Sequence, residues 1–241
     1  MMQIKNSLGL IGDAINTYGI MRDLSQANGG LEVAIHPEAK WFFDLLPPEL
    51  NIKVVDWVGN DAKELDLVGA FNFSHTSDLH MSQCYHYQFG LATPTAPIRP
   101  VLNVPDLDVP VYDYLLSPFS RSLPIEQKWD MPNWEQLANR LKEQGYEVAV
   151  LGNSQYDQKF KNITNEQDRP IAEVLNMIKK CRKGLVSVVT GTSHLAYAME
   201  TKNYLLNNQG GKWGVNPDAI SIETYIPNIS VDEVLNLIIQ N

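Results

Sequence analysis

The sequence is poor in several features, and each shortage excludes a class. Its cysteines are two, Cys84 and Cys181, so at most one disulfide could form and a disulfide framework cannot hold the fold. No apolar run approaches the roughly 18 residues that a membrane span needs, and no charged-then-apolar leader opens the chain. The expectation is a cytoplasmic chain with no transmembrane segment, in which the sequons at Asn162 and Asn228 are accidents of composition. Glycine (15) and proline (14) are too scarce for collagen or low-complexity sequence. Basic charge is also short: 19 Lys+Arg face 28 Asp+Glu, a net −9. The deficit runs through both halves, with 6 basic against 11 acidic residues over 1–105 and 13 against 17 over 106–241. Proteins that grip nucleic-acid backbones carry basic faces, so this balance counts against such a partner.

What is present is a globular composition, 44% hydrophobic in 241 residues, laid out as alternating strand and helix patterns. Ile4–Ile11 reads as a strand with a turn at Gly9-Leu10-Ile11-Gly12, after which Asp13 opens a helix that Gly29-Gly30 ends. Leu31–Ile35 and Ile52–Val58 read as strands around a short helix at Trp41-Phe42-Phe43. Leu65–Phe73 reads as a fourth strand, Ser74-His75-Thr76-Ser77 as the loop after it, and the aromatic-rich stretch to Gly90 as helical. Five prolines between Ala92 and Pro110 mark a connector. The second series runs through a strand at Tyr112–Leu116, a helix at Asn133–Gln144, a strand at Tyr146–Leu151 and a helix at Ile171–Ile178. Strand Leu185–Val189, a helix from Ser193, strand Tyr204–Leu206 and a final helix capped by Ser230-x-x-Glu233 complete it. Alternation of this kind predicts an α/β fold with parallel sheets. The expected domains are 1–105 and 106–241, with the last helix, 230–241, packing back on the first. The basic run Lys179-Lys180-Cys181-Arg182-Lys183 follows a helix, where cations complement the helix C-terminus.

Three turns that follow strands carry chemistry-bearing residues, the place where open α/β sheets bind ligands. In Gly9-x-x-Gly12-Asp13 the glycines permit close backbone approach and the carboxylate can accept a proton from a bound hydroxyl; its plainer role is to cap the helix. In Ser117-Pro118-Phe119-Ser120-Arg121, followed by Lys128-Trp129, hydroxyls and two cations suit a diphosphate, or form an ordinary solvated loop. In Thr190-Gly191-Thr192-Ser193-His194 the helix start aims N–H donors at one spot, an anion site; His194 either donates to the ligand or packs beneath the turn. Neither His80 with Cys84 nor Cys84 with His86 makes a metal set. Asp106-Leu107-Asp108 has D-x-D spacing but lies in the proline-rich connector.

In this order, G-x-x-G-D, S-P-x-S-R with K-W, and T-G-x-S-H-L-A resemble the family 9 glycosyltransferases, the heptosyltransferase-like group. The resemblance covers most of the chain and is weakest between about residues 60 and 111. It implies a GT-B architecture: two Rossmann-like domains facing across a cleft, acceptor on the first, here shortened, and nucleotide-sugar on the second. It implies Asp13 as general base and Lys128 as a contact of the donor diphosphate. It also puts the donor diphosphate on the amides of Thr190, Gly191 and Ser193 with His194. The family's Asp before T-G is Val189 here. Ser117, Ser120, Arg121 and Thr192 join the expected donor side, and Gly12, Ser74, His75 and Thr76 the acceptor side. The expected activity is a metal-independent, inverting glycosyl transfer with no cofactor beyond the nucleotide-diphosphate sugar itself. The acceptor would be a glycan or lipid-linked sugar. One rival acceptor is a hydroxymethylated base in DNA, as for compact phage enzymes, and a second rival is a non-catalytic sugar-nucleotide-binding module.

Overall fold

The computed structural model describes residues 1–241 except 57, 60, 121–128, 154–159, 161 and 208–214. Two compact units divide the chain. The first is Met1–Asn103, and the second holds the described residues from Val104 onward. In the first, β1 (Met2–Asn6) leads through α1 (Ile11–Asn16) and α2 (Tyr18–Asn28) to β2 (Leu31–Ile35), followed by α3 (Lys40–Asp44) and β3 (Ile52–Val55). Then come β4 (Lys63–Glu64), α4 (Leu67–Ser77) and α5 (Met81–Gln88). The sheet is all parallel in the order β3-β2-β1-β4. Gly29 takes a left-handed φ of 64° and ends α2 by donating its N–H to Ser25 O, a conformation that costs glycine least.

The second unit runs β5 (Tyr114–Ser117), α6 (Met131–Glu143), β6 (Val148–Val150), β7 (Thr164–Asn165), α7 (Ile171–Lys180) and β8 (Gly184–Val188). It ends with α8 (Gly191–Ala198), β9 (Asn203–Asn207), β10 (Ile220–Glu223) and α9 (Val231–Gln240). Its parallel sheet has the order β10-β9-β8-β5-β6-β7, which in chain order is the doubly wound Rossmann pattern with its switch point between β5 and β8. Every residue of β5, β8 and β9 is buried, as expected for strands covered on both faces. The core gathers Trp129, Trp134 and Leu137 with Val186, Tyr204 and Leu206. Trp129 anchors it further by donating Nε1–H to Ile229 O at 2.7 Å. The last helix sends Val231, Val234, Leu235 and Ile238 into this same core.

Other readings also need correction. Leu65–Phe73 is not a strand: Asp66 accepts the Gly69 N–H at 3.0 Å and starts α4, which runs on through Ser77. Ser74, His75 and Thr76 are therefore helical, not a loop, and Ser74 and Thr76 donate their hydroxyls back to Phe71 O and Phe73 O at 2.6 and 3.1 Å. The true fourth strand is the charged pair Lys63–Glu64, too short and polar to show a strand signal. The first strand stops at Asn6, whose buried side chain accepts the Leu8 N–H at 3.2 Å and turns the chain, so Ile11 opens α1. The capping box of α9 is as read: Ser230 N–H donates to Glu233 Oε2 at 2.7 Å and Glu233 N–H to Ser230 Oγ at 3.2 Å.

Candidate active site

The first unit presents Asp13 at the carboxyl edge of its sheet. Loop 7–10 leaves β1 and is clamped from both neighbouring strands. On one side Ser7 donates its hydroxyl to Glu64 Oε1 of β4 at 2.5 Å. On the other, the ring of His36, just after β2, lies against Gly9, where a Cβ would meet its Nδ1 at 2.5 Å. A side chain at position 9 would therefore have to displace the His36 ring. Asp13 follows in the first turn of α1, where Leu10 holds the N-cap position without a side-chain bond. The carboxylate accepts the Leu10 N–H, so it does help to cap the helix, from the third helical position. Burial outweighs that bond and raises the Asp13 pKa above its ordinary 3.8. Tyr85 of α5, which gave no signal in the sequence, lies within the field of Asp13: its fully buried phenol is pushed far up by burial first and then by the charge of Asp13. Gly12 sits in the same first turn of α1. Nothing in the structure links Ser74, His75 or Thr76 to this edge through a strand, since the segment is helical.

The second unit brings two of the three turns together. Ser117 ends β5, Thr192 stands in the first turn of α8, and Thr192 donates its hydroxyl to Ser117 Oγ at 2.6 Å. Because β5 and β8 are neighbours on either side of the chain reversal, this contact marks the crevice where doubly wound sheets bind ligands. Thr190 is the N-cap of α8, in extended backbone, and Ser193 Oγ accepts its N–H at 3.3 Å while donating to Thr190 O at 2.6 Å. That leaves the N–H groups of Gly191 and Thr192 at the head of an eight-residue helix, where the dipole favours an anion. Ser120, Ser193 and His194 are buried at 3%, 0% and 6% exposure. Arg121 and Lys128 lie outside the described residues.

Residues 107–206 match the model of glycosyltransferase family 9 (heptosyltransferase). The matched stretch lies within the second unit. Among solved structures it is similar to TibC of enterotoxigenic E. coli H10407, an iron-containing dodecameric glycosyltransferase. The two are 16% identical with a TM-score of 0.75 over 99% of this chain and 77% of TibC. TibC in complex with ADP-D-beta-D-heptose gives 18% identity and a TM-score of 0.68 over 93% of this chain and 64% of that one. E. coli heptosyltransferase WaaC with ADP gives 12% and 0.72 over 100% and 99%. Likeness at these identities is a likeness of fold, the pair of parallel Rossmann-like sheets of the GT-B class. No curated protein matches the sequence.

The basic run at the end of α7 lies at the opposite, amino edge of the second sheet. Lys180 donates to Leu107 O at 2.6 Å and pairs with Asp106 at 2.7 Å, and Arg182 pairs with Asp113 and Glu147. A cavity of about 530 Å³ opens there, lined by Lys179, Lys183 and Lys202 and by the ends of α6, α7 and α9. Helix C-termini carry partial negative charge, so these cations complement the fold itself. Among the described residues no three His, Cys, Asp or Glu side chains gather as a metal site, and His80 caps α5 by accepting the Ser82 N–H at 3.2 Å. No helix among the described residues is long and apolar enough to cross a membrane.

Proposed function

We propose that this chain is a cytoplasmic, metal-independent, inverting transferase that moves a sugar, with ADP-heptose the first donor to try, onto an acceptor hydroxyl of a glycan or lipid-linked sugar. The donor suggestion comes from the ADP-heptose and ADP complexes of the similar structures. Asp13 takes the acceptor's proton as its oxygen attacks the anomeric carbon, and the bond to the diphosphate breaks on the opposite face. The amides of Gly191 and Thr192, the hydroxyls of Ser117 and Thr192, and the cations Arg121 and Lys128 hold the departing diphosphate. They do so by electrostatic stabilisation, without metal.

The observation that carries this reading is the burial of Asp13. A base works best when its proton affinity approaches the operating pH, and desolvation moves this carboxylate in that direction despite the hydrogen bond from Leu10. The domain assignment follows: acceptor on 1–105, donor on 106–241. Asp13→Asn keeps the hydrogen bond from Leu10 through its amide oxygen but cannot take a proton. ADP release from ADP-heptose in the presence of acceptor is expected to fall by at least about 10². Turnover like that of the parent would reduce Asp13 to a helix cap.

A further inference from the structure

One imidazole at the carboxyl edge of the first sheet has no part in the chemistry above. His36 continues the β1–β2 ladder, its N–H donating to Asn6 O at 3.0 Å, and this brings its ring beside loop 7–10. The ring is fixed on two sides. Gly9 lies against it so closely that an added Cβ would stand 2.9 Å from Cε1 and Cγ. Its Nδ1 accepts the Glu38 N–H at 3.2 Å, which in the neutral ring leaves the proton on Nε2. Among the described residues no hydrogen bond engages that Nε2, and the side chain is only partly buried. A histidine used only to cap a turn needs one nitrogen. This one is held so that the other is a fixed, outward donor.

The same loop connects this donor to the base. Loop 7–10 packs on His36 at Gly9 and leads directly into the first turn of α1, where Asp13 stands. The carboxylates nearby are Asp13 itself, Glu38 two residues from the ring, and Glu64 on the far side of the loop. Lys5 pairs with Glu64 at 3.4 Å, and the charge left by Asp13 and Glu38 disfavours a phosphorylated ligand at this edge and favours a neutral one rich in hydroxyls. We infer that His36 is an acceptor-binding residue, its Nε2–H donating to one hydroxyl oxygen of a neutral sugar while another hydroxyl of that sugar is presented to Asp13. The inference rests on the proposed transfer and deepens it: the acceptor is an uncharged polyol at the point of contact.

The test uses the geometry of side-chain amides. Glutamine can place an N–H donor near the position of Nε2, whereas asparagine can place its oxygen near Nδ1 and so keep the cap on Glu38 without the outward donor. ADP release is measured with ADP-D-beta-D-heptose as donor and methyl glucoside as acceptor probe, in the parent, His36→Gln, His36→Asn and His36→Ala. The expected result is a half-saturating glucoside concentration near the parent's for Gln, raised about three- to tenfold for Asn and Ala, with that for donor unmoved. Asn behaving as the parent while Gln fails would show a turn cap only, and a shift in donor saturation would put the ring on the wrong substrate. A parent that releases ADP without any response to glucoside overturns the neutral-sugar assignment. A parent that releases no ADP from ADP-heptose removes the proposed transfer first, and this inference with it.

Discussion

The two sheets of this molecule solve different problems. In the second, β5, β8 and β9 are buried at every residue, and the crevice at their carboxyl ends is made of hydroxyls and helix amides, with Val189 where a carboxylate is usual in the resembling family. In the first, β3 and β4 are largely exposed and the carboxyl edge is acidic, with Asp13 half-buried beside Tyr85 and Glu64 bonded to Ser7. In the proposed transfer the two edges serve different tasks. A departing diphosphate needs donors and no nearby negative charge, and a proton acceptor needs a carboxylate that water does not fully solvate. Each edge would impair the other's chemistry.

Several measurements would sharpen or break that division. The largest expected effect after the loss in Asp13→Asn is on Lys128→Ala, which should weaken a nucleoside diphosphate about tenfold or more and leave the free nucleoside unchanged. Equal losses for both would move Lys128 away from the diphosphate. Thr192→Val removes the hydroxyl that donates to Ser117 and should weaken ADP a few-fold, whereas Asp13→Asn should leave ADP binding where it was. If both variants weaken ADP alike, the edges are not separate in function. Incubation with EDTA should leave turnover intact; loss restored by a divalent ion would place a metal in the reaction.

The smallest effect is on stability. Because burial raises the Asp13 pKa above 3.8, the folded chain holds a proton there that the unfolded chain has already released, and stability falls as pH rises through that interval. At neutral pH the ionised carboxylate is therefore a cost, and Asp13→Asn should melt at the parent's temperature or slightly above. The advantage should vanish below pH 3.8, where both states of the parent are protonated. For the same reason the acid limb of kcat/KM should lie above that value. A variant less stable than the parent at neutral pH would mean that the hydrogen bond from Leu10 outweighs burial.

Where signals in the chain were strong, the elements followed them. The apolar run of β8 and the heptad-like spacing of α7 come from burial on both faces and on one face, and the S-x-x-E cap of α9 is a local interaction. The misread segment is instructive for the opposite reason. Leu65–Phe73 reads as a strand because it is apolar, yet Val68 and Phe71 are 67% and 47% exposed and Asp66 caps a helix. Hydrophobicity there did not report burial, so periodicity misled. The same apolar signal makes Ser74–Thr76 read as a loop, whereas they are helical. His36 and Tyr85 were missed because nothing in their own neighbourhoods marks them. Each matters through a residue more than twenty positions away, Gly9 for one and Asp13 for the other.

The sequence by itself determined the α/β alternation, the proline-rich division of the chain, the helix caps, and the order of the three turns that resemble a sugar-transfer family. These are local properties of short stretches, carried by periodicity, propensity and spacing. Only the tertiary structure decided that α9 completes the second unit's own core, that β4 is two charged residues beside β1, and that Ser117 meets Thr192 across 75 positions at a chain reversal. It also decided that Asp13 is a desolvated carboxylate. Strand pairing and burial depend on which distant segments meet, and no single stretch of the chain contains that information.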